Sequence, residues 1–221
     1  MNYPDKFKLT REQSLFLAKK KWDENIYCGM KMENRNVTFP ETQTILQGVN
    51  VGHVALDDIQ AILNMRDAWR YLLDTLDETL DMAAVCALNG LVSRNESLAW
   101  GVLRTGKVGI SGTTYVPPIP DAEKAQCELA ALARNGGKSP TEKALDIFLW
   151  GTRAQLFWDG NKRTSLLAAN KMLVQAGSGV LTITDSFLQD FNRLLTRYYD
   201  SGDGGDLKQF LYDKAIDGIE F

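Results

Sequence analysis

Residues 155–165, Gln-Leu-Phe-Trp-Asp-Gly-Asn-Lys-Arg-Thr-Ser, constrain this chain more than any other stretch. A polar turn runs straight into a helix that continues through Leu166–Val174. Gly160 and Asn161 tolerate the left-handed backbone that turns successive N–H groups toward one point. The first turn of a helix adds unpaired donors and the positive end of its dipole, which together attract an anion. Lys162 and Arg163 bring the charges that a phosphate would want beside those donors. Phe157 is placed to anchor the turn in the core. Asp159 is a hard oxygen ligand suited to Mg²⁺ and is equally a good helix N-cap, and both roles can coexist. The pattern is that of a diphosphate cradle.

The remaining chain reads as helices separated by short punctuation. Thr10 with Gln13 makes a capping-box start for a helix to about Tyr27. Thr38-Phe39-Pro40-Glu41 opens a second helix that Gly48 ends. Asp57 or Asp58 starts a long amphipathic helix in which Ile59, Ile62, Leu63, Ala68, Trp69, Leu72 and Leu73 lie near helical spacing. Met82–Val92, Ala122–Arg134, a segment from Pro140 toward the polar turn, Ser186–Asp200 and Leu207–Ala215 complete the set. Segment 104–119 differs, since its glycines, β-branched residues and Pro117-Pro118 suit a hairpin. The expected fold class is all-α, a helical bundle with one small β-hairpin. Residues 1–50 would form N-terminal helices, and 51–221 the core of a single structural unit.

Composition narrows the class of function. Lys+Arg 25 against Asp+Glu 28 gives 25 − 28 = −3, so no basic field invites DNA. The Lys19-Lys20-Lys21 cluster falls within a helical pattern and reads as a solvated face. Three cysteines, an odd number without metal-like spacing, read as reduced, buried thiols. The N-terminus lacks a secretion-type apolar stretch, and no apolar run is long enough to span a membrane. A cytoplasmic location is expected.

The turn resembles the signature of Fic/Doc proteins, His-x-Phe-x-Asp/Glu-Gly-Asn-Gly/Lys-Arg, matched here by Gln155-Leu-Phe157-Trp-Asp159-Gly160-Asn161-Lys162-Arg163. All but the first position agree. The resemblance implies a helical Fic fold over about residues 25–215, with ATP or a related nucleotide as substrate and Mg²⁺ held by Asp159. It implies transfer of AMP, or another phosphate-bearing group, to a protein hydroxyl. Gly160, Asn161 and Lys162 would cradle phosphates and Arg163 would fork their oxygens. The family's general base is replaced by Gln155, whose amide has no proton-accepting state near pH 7. It could still orient a hydroxyl, or simply pack at a helix end. Lys162 matches the Doc-like variant, a kinase by resemblance, and the family's second arginine is replaced by Leu166. Lys107–Gly112 falls where the family's flap lies, so Val108, Gly109 and Ile110 would dock a target segment by strand addition. Glu33-Asn34 matches the end of the family's inhibitory helix. With the second arginine absent, Glu33 would reach Arg163 or Lys162, or else face solvent. Tyr198 and Tyr199 could stack on a base, although such pairs more often belong to the core. Three functions follow: a slow nucleotidyl transferase, a nucleotide-binding protein without catalysis that acts through the flap, or a Doc-like kinase.

Overall fold

The computed structural model describes residues 2–219. Its elements run α1 (Arg11–Lys20), α2 (Trp22–Met32), α3 (Phe39–Leu46), α4 (Leu56–Asp74), α5 (Met82–Val92), α6 (Ala122–Ala133), α7 (Pro140–Ala154) and α8 (Asn161–Ala176). Then follow β1 (Val180–Leu181), α9 (Asp185–Ser201), α10 (Gly205–Lys214) and β2 (Ile216–Asp217). The protein is an all-α bundle. No helix among the described residues is long and apolar enough to cross a membrane.

Side-chain capping sets half of the ten helix starts among the described residues. Thr10 and Gln13 close a reciprocal capping box on α1, and Thr38 and Glu41 do the same on α3. Asp81, Asp121 and Ser139 accept N–H bonds at the starts of α5, α6 and α7. The expected single helix from Thr10 to Tyr27 is instead two helices that meet at Lys21. Lys21, at φ −96° and ψ 10°, lies between them, and its side chain pairs with Asp217 and, at 3.6 Å, with Glu24.

Helix α8 divides the core. Leu167, Ala168 and Val174 join a cluster with Leu17, Met30, Trp69 and Phe157. Leu166, Ala169 and Leu173 join a second cluster around Phe148, Phe191 and Leu211. The helix is therefore apolar on opposite faces, as expected of an element buried all round. It ends at Gly177, whose φ of 70° admits glycine readily. A Cβ there would strike the Leu9 carbonyl, and Leu9 donates its N–H to the Gly177 carbonyl at 2.8 Å. Helices α1–α3 contribute Leu17, Ile26, Met30 and Ile45 to the first cluster. Of the cysteines expected to be buried, Cys28 is, whereas Cys127 is exposed on α6.

Segment 104–119 is extended but forms no ladder; its turn lies at Ser111-Gly112, with Gly112 at φ 81°. The strand pairing in the described residues is elsewhere: β1 and β2 are antiparallel, with Val180 opposite Asp217 and Leu181 opposite Ile216. Pro117 and Pro118 cannot donate to a ladder. Thr113 and Thr114 bond instead to Asp200 at the end of α9, the Thr114 N–H at 3.1 Å.

The α3 capping box gives a pH-dependent stability. Glu41 accepts the Thr38 N–H at 2.7 Å and meets His53 Nε2 at 2.6 Å. The Thr38 N–H first, and then His53, hold its carboxyl at about 2. A depressed folded-state pKa stabilises above the ordinary carboxylate value and is lost as pH falls toward the folded value. The wild type should be more stable than Glu41→Gln above pH ~4.5, with the difference fading toward pH 2. Urea midpoints of both proteins across that range measure it; a gap independent of pH would contradict the assignment.

Candidate functional site

The turn between α7 and α8 is bounded by two left-handed residues. Gln155 caps α7 at φ 47°, ψ 57°, and Gly160 precedes α8 at φ 71°, ψ 12°. Asn161 stitches the turn internally: its Oδ1 accepts the Phe157 N–H and its Nδ2 donates to the Phe157 carbonyl, each at 2.9 Å. Phe157 is buried, as its apolar ring requires. The first intrahelical bond of α8 runs from Thr164 N–H to the Gly160 carbonyl at 2.8 Å. The N–H groups of residues 161–163 therefore lie in the unpaired first turn.

A second layer holds this turn from below. Asn89 of α5 and Ser93 donate to the Asp159 carbonyl at 2.9 and 3.0 Å. Asn89 also donates to Thr164 Oγ1 at 3.2 Å. Neither residue was singled out from sequence, because their partners lie about seventy positions away.

A cavity of roughly 480 Å³ opens above the turn. Gln155, Trp158, Asp159, Asn161 and Lys162 line its floor, Glu33 and Asn34 one side, and residues 108–111 another. Asn192, Leu195, Thr196 and Tyr199 from α9 close it. Glu33, Val108, Gly109 and Ile110 thus lie around one cavity with the turn. Tyr198 and Tyr199 are mostly buried, and burial raises both hydroxyl pKa values, that of Tyr198 to about 12. Tyr199 borders the cavity and Tyr198 bonds the Leu149 carbonyl at 3.2 Å, so the pair belongs chiefly to the core.

Charge is distributed differently from the sequence expectation. Arg163 is 1% exposed and is not at the cavity surface. Its Nη1 lies 3.2 and 3.1 Å from the two Glu96 oxygens and 3.4 Å from the Val92 carbonyl. Glu96 also receives Arg35 at 2.6 Å and Asn64 at 2.8 Å, and Arg35 reaches Asp58 at 3.1 Å. Arg163 is thus engaged in a buried ion cluster beneath the turn, and its Nη2 also lies 3.8 Å from Asp159 Oδ1. Lys162 is the cation at the cavity: its Nζ donates to the Met32 carbonyl at 2.8 Å and meets Glu33 Oε2 at 3.1 Å. Glu33 Oε1 lies 3.6 Å from Arg163 Nε, a buried atom without a hydrogen-bond partner.

Gln155 folds back on its own helix. Its Nε2 donates to the Thr152 carbonyl at 2.6 Å and its Oε1 accepts from Asn161 at 3.2 Å. Asp159 is half exposed and accepts the Gly160 N–H with one oxygen. No group of three or more metal-ligating side chains exists among the described residues. A divalent ion here would rest on Asp159 and on oxygens brought by a ligand, as Mg²⁺ commonly does with phosphates.

Residues 79–173 match the model of the Fic/DOC family. No curated protein matches the sequence. Among solved structures, Fic-1 from C. elegans superposes with a TM-score of 0.80 at 17% identity, covering 93% of this chain. The chain spans 63% of the length of that Fic-1 structure. BepC, a VirB-translocated effector from Bartonella tribocorum solved with bound AMPPNP, gives 0.51 at 17% identity over 71% of this chain and 86% of that one. An IbpAFic2 variant in complex with adenylylated Cdc42 gives 0.53 at 16% identity over 86% and 69%. The chain has the helical fold of Fic-domain proteins.

Gly160 tests the geometry of the turn. A Cβ there would collide with Ser93 Oγ and come within 2.8 Å of Val92 Cγ1, at a φ that disfavours L side chains. Gly160→Ala should destabilise by about 2–4 kcal/mol, combining left-handed strain with overpacking. Chemical denaturation measures this, and a loss below about 0.5 kcal/mol would contradict the described turn.

Proposed function

We propose that this chain is a Fic-type nucleotide-binding protein whose cavity takes the phosphates of ATP or a related nucleotide. One observation carries the reading: Lys162 and the unpaired first turn of α8 converge on a cavity whose size suits a small-molecule ligand. The α8 dipole and Lys162 would hold the phosphates, with Asp159 sharing a Mg²⁺ with them. The AMPPNP bound to BepC and the adenylylated Cdc42 beside IbpAFic2 support nucleotide and protein partners for such a cavity.

For AMP transfer, a target hydroxyl would attack the α-phosphorus, the α–β bridge would break, and pyrophosphate would leave. The hydroxyl proton needs an acceptor, and the Gln155 amide is none. Such chemistry relies mainly on positioning and charge neutralisation, so a lost base slows it without abolishing binding. A second reading, a nucleotide-binding protein without catalysis, is favoured by the engagement of Gln155 as a helix cap. In either case a target segment would pair with the backbone of Val108–Ile110.

Gln155→His should restore a proton acceptor. Transfer of label from α-³²P-ATP to protein should rise by ~10²-fold or more, increasing as pH passes the histidine pKa. Label from γ-³²P-ATP alone would assign a kinase. No gain with either label, in protein that still binds nucleotide, would leave the binding reading. Strong transfer by the wild type would overturn the need for a base at this position.

Glu33 occupies the Lys162 ammonium that a terminal phosphate would use. Glu33→Gly should tighten ATP binding by about tenfold and ADP binding by less, as read by calorimetry. Equal gains for both nucleotides would remove Glu33 from the terminal-phosphate position.

A further inference from the structure

Arg104 is 1% exposed, and every acceptor of its guanidinium is a main-chain carbonyl. Nε donates to Gln155 at 2.6 Å, Nη1 to Gly106 at 2.5 Å, and Nη2 to Pro118 at 2.5 Å and Pro117 at 3.4 Å. Its own N–H donates to the Leu156 carbonyl at 3.0 Å. Among the described residues no carboxylate lies within ion-pairing distance of it. Burial lowers its pKa, yet an arginine keeps its charge in proteins. The charge is therefore spread over carbonyl dipoles rather than cancelled by an anion.

Those carbonyls fall into two groups. Gln155 and Leu156 begin the turn that floors the cavity, whereas Gly106 and Pro117-Pro118 are the two ends of the flap. The consecutive prolines restrict the chain, so their carbonyls converge on one nitrogen. Between the flap's ends, the N–H groups of residues 107–112 make no hydrogen bond. Gly106 packs so closely on Trp158 of the turn that a Cβ would lie 2.6 Å from its Cη2. The far arm is tied separately, to Asp200.

We propose that Arg104 is a positioning residue that couples the flap to residue 155. It holds the Gln155 carbonyl, and with it the left-handed backbone that sets where the residue 155 side chain points. A displacement at the flap's base then moves position 155, and a ligand resting on the turn orders the flap. The first half rests on geometry alone; the second rests on the nucleotide reading above.

Arg104→Lys keeps the charge but cannot span four carbonyls from one ammonium. Hydrogen exchange followed by mass spectrometry, with and without ATP and Mg²⁺, tests the coupling. Without nucleotide, the hydrogen-bonded amides of Arg104, Thr114 and Tyr115 and those of 155–160 should exchange about tenfold faster together than in the wild type, while α4 and α8 stay protected. Pro118→Gly, which loosens one carbonyl and leaves Arg104 in place, should show the same paired pattern and serves if Arg104→Lys fails to fold. Faster exchange in the flap with 155–160 unchanged overturns the coupling. With ATP, the flap of the wild type should slow, and that of a variant that still binds ATP should not. A variant flap that slows as much as the wild type overturns transmission through Arg104. If ATP does not bind the wild type, the nucleotide reading fails, and the nucleotide-free comparison decides the coupling alone.

Discussion

The close approach of α7 and α8 is the constraint on which the remaining structure depends. At Gly151 a Cβ would collide with Ser165 Oγ, so the two helices meet nearly backbone to side chain. Two helices this close can be joined by a short turn only if the chain reverses abruptly, and it does so through left-handed residues at 155 and 160. The reversal leaves the first amides of α8 and the side chain of Lys162 at one cavity. Packing of two core helices thus creates the anion-attracting end, and the cavity chemistry inherits its geometry from the core.

Beneath that turn the charged residues are arranged for support. Glu96, 6% exposed at its side chain, receives both Arg163 and Arg35. Truncating one member of so buried a cluster would strand the others, which is costlier than losing an exposed pair. Among the described residues Lys162 is the cation that lines the cavity, and Glu33 meets it. The charged side chains lining the cavity are consequently Lys162, Glu33 and Asp159.

Local signals were legible in the sequence wherever partners are near in the chain. Thr10 with Gln13, Thr38 with Glu41, and Pro140 mark helix starts by chemistry acting over three or four residues. Asp159-Gly160-Asn161 marked the turn for the same reason. Features set by distant partners were not legible. Lys21 pairs with Asp217, buried Arg163 with Glu96, and the two ends of the flap with Arg104 and Asp200. Nothing local in Ser93-Arg94-Asn95-Glu96 distinguishes the buried glutamate from a surface one.

The hydrogen bonds of Gln155 carry a chemical consequence. The side chain spends one donor on the Thr152 carbonyl and one acceptor on Asn161. A neutral imidazole also has one donor and one acceptor, on its two ring nitrogens. An imidazole that made both bonds would spend its lone-pair nitrogen on Asn161, so it could accept a proton only after that bond is released. The demands of folding and of proton transfer therefore compete for one ring nitrogen at this position, and Asn161 sets the terms of that competition.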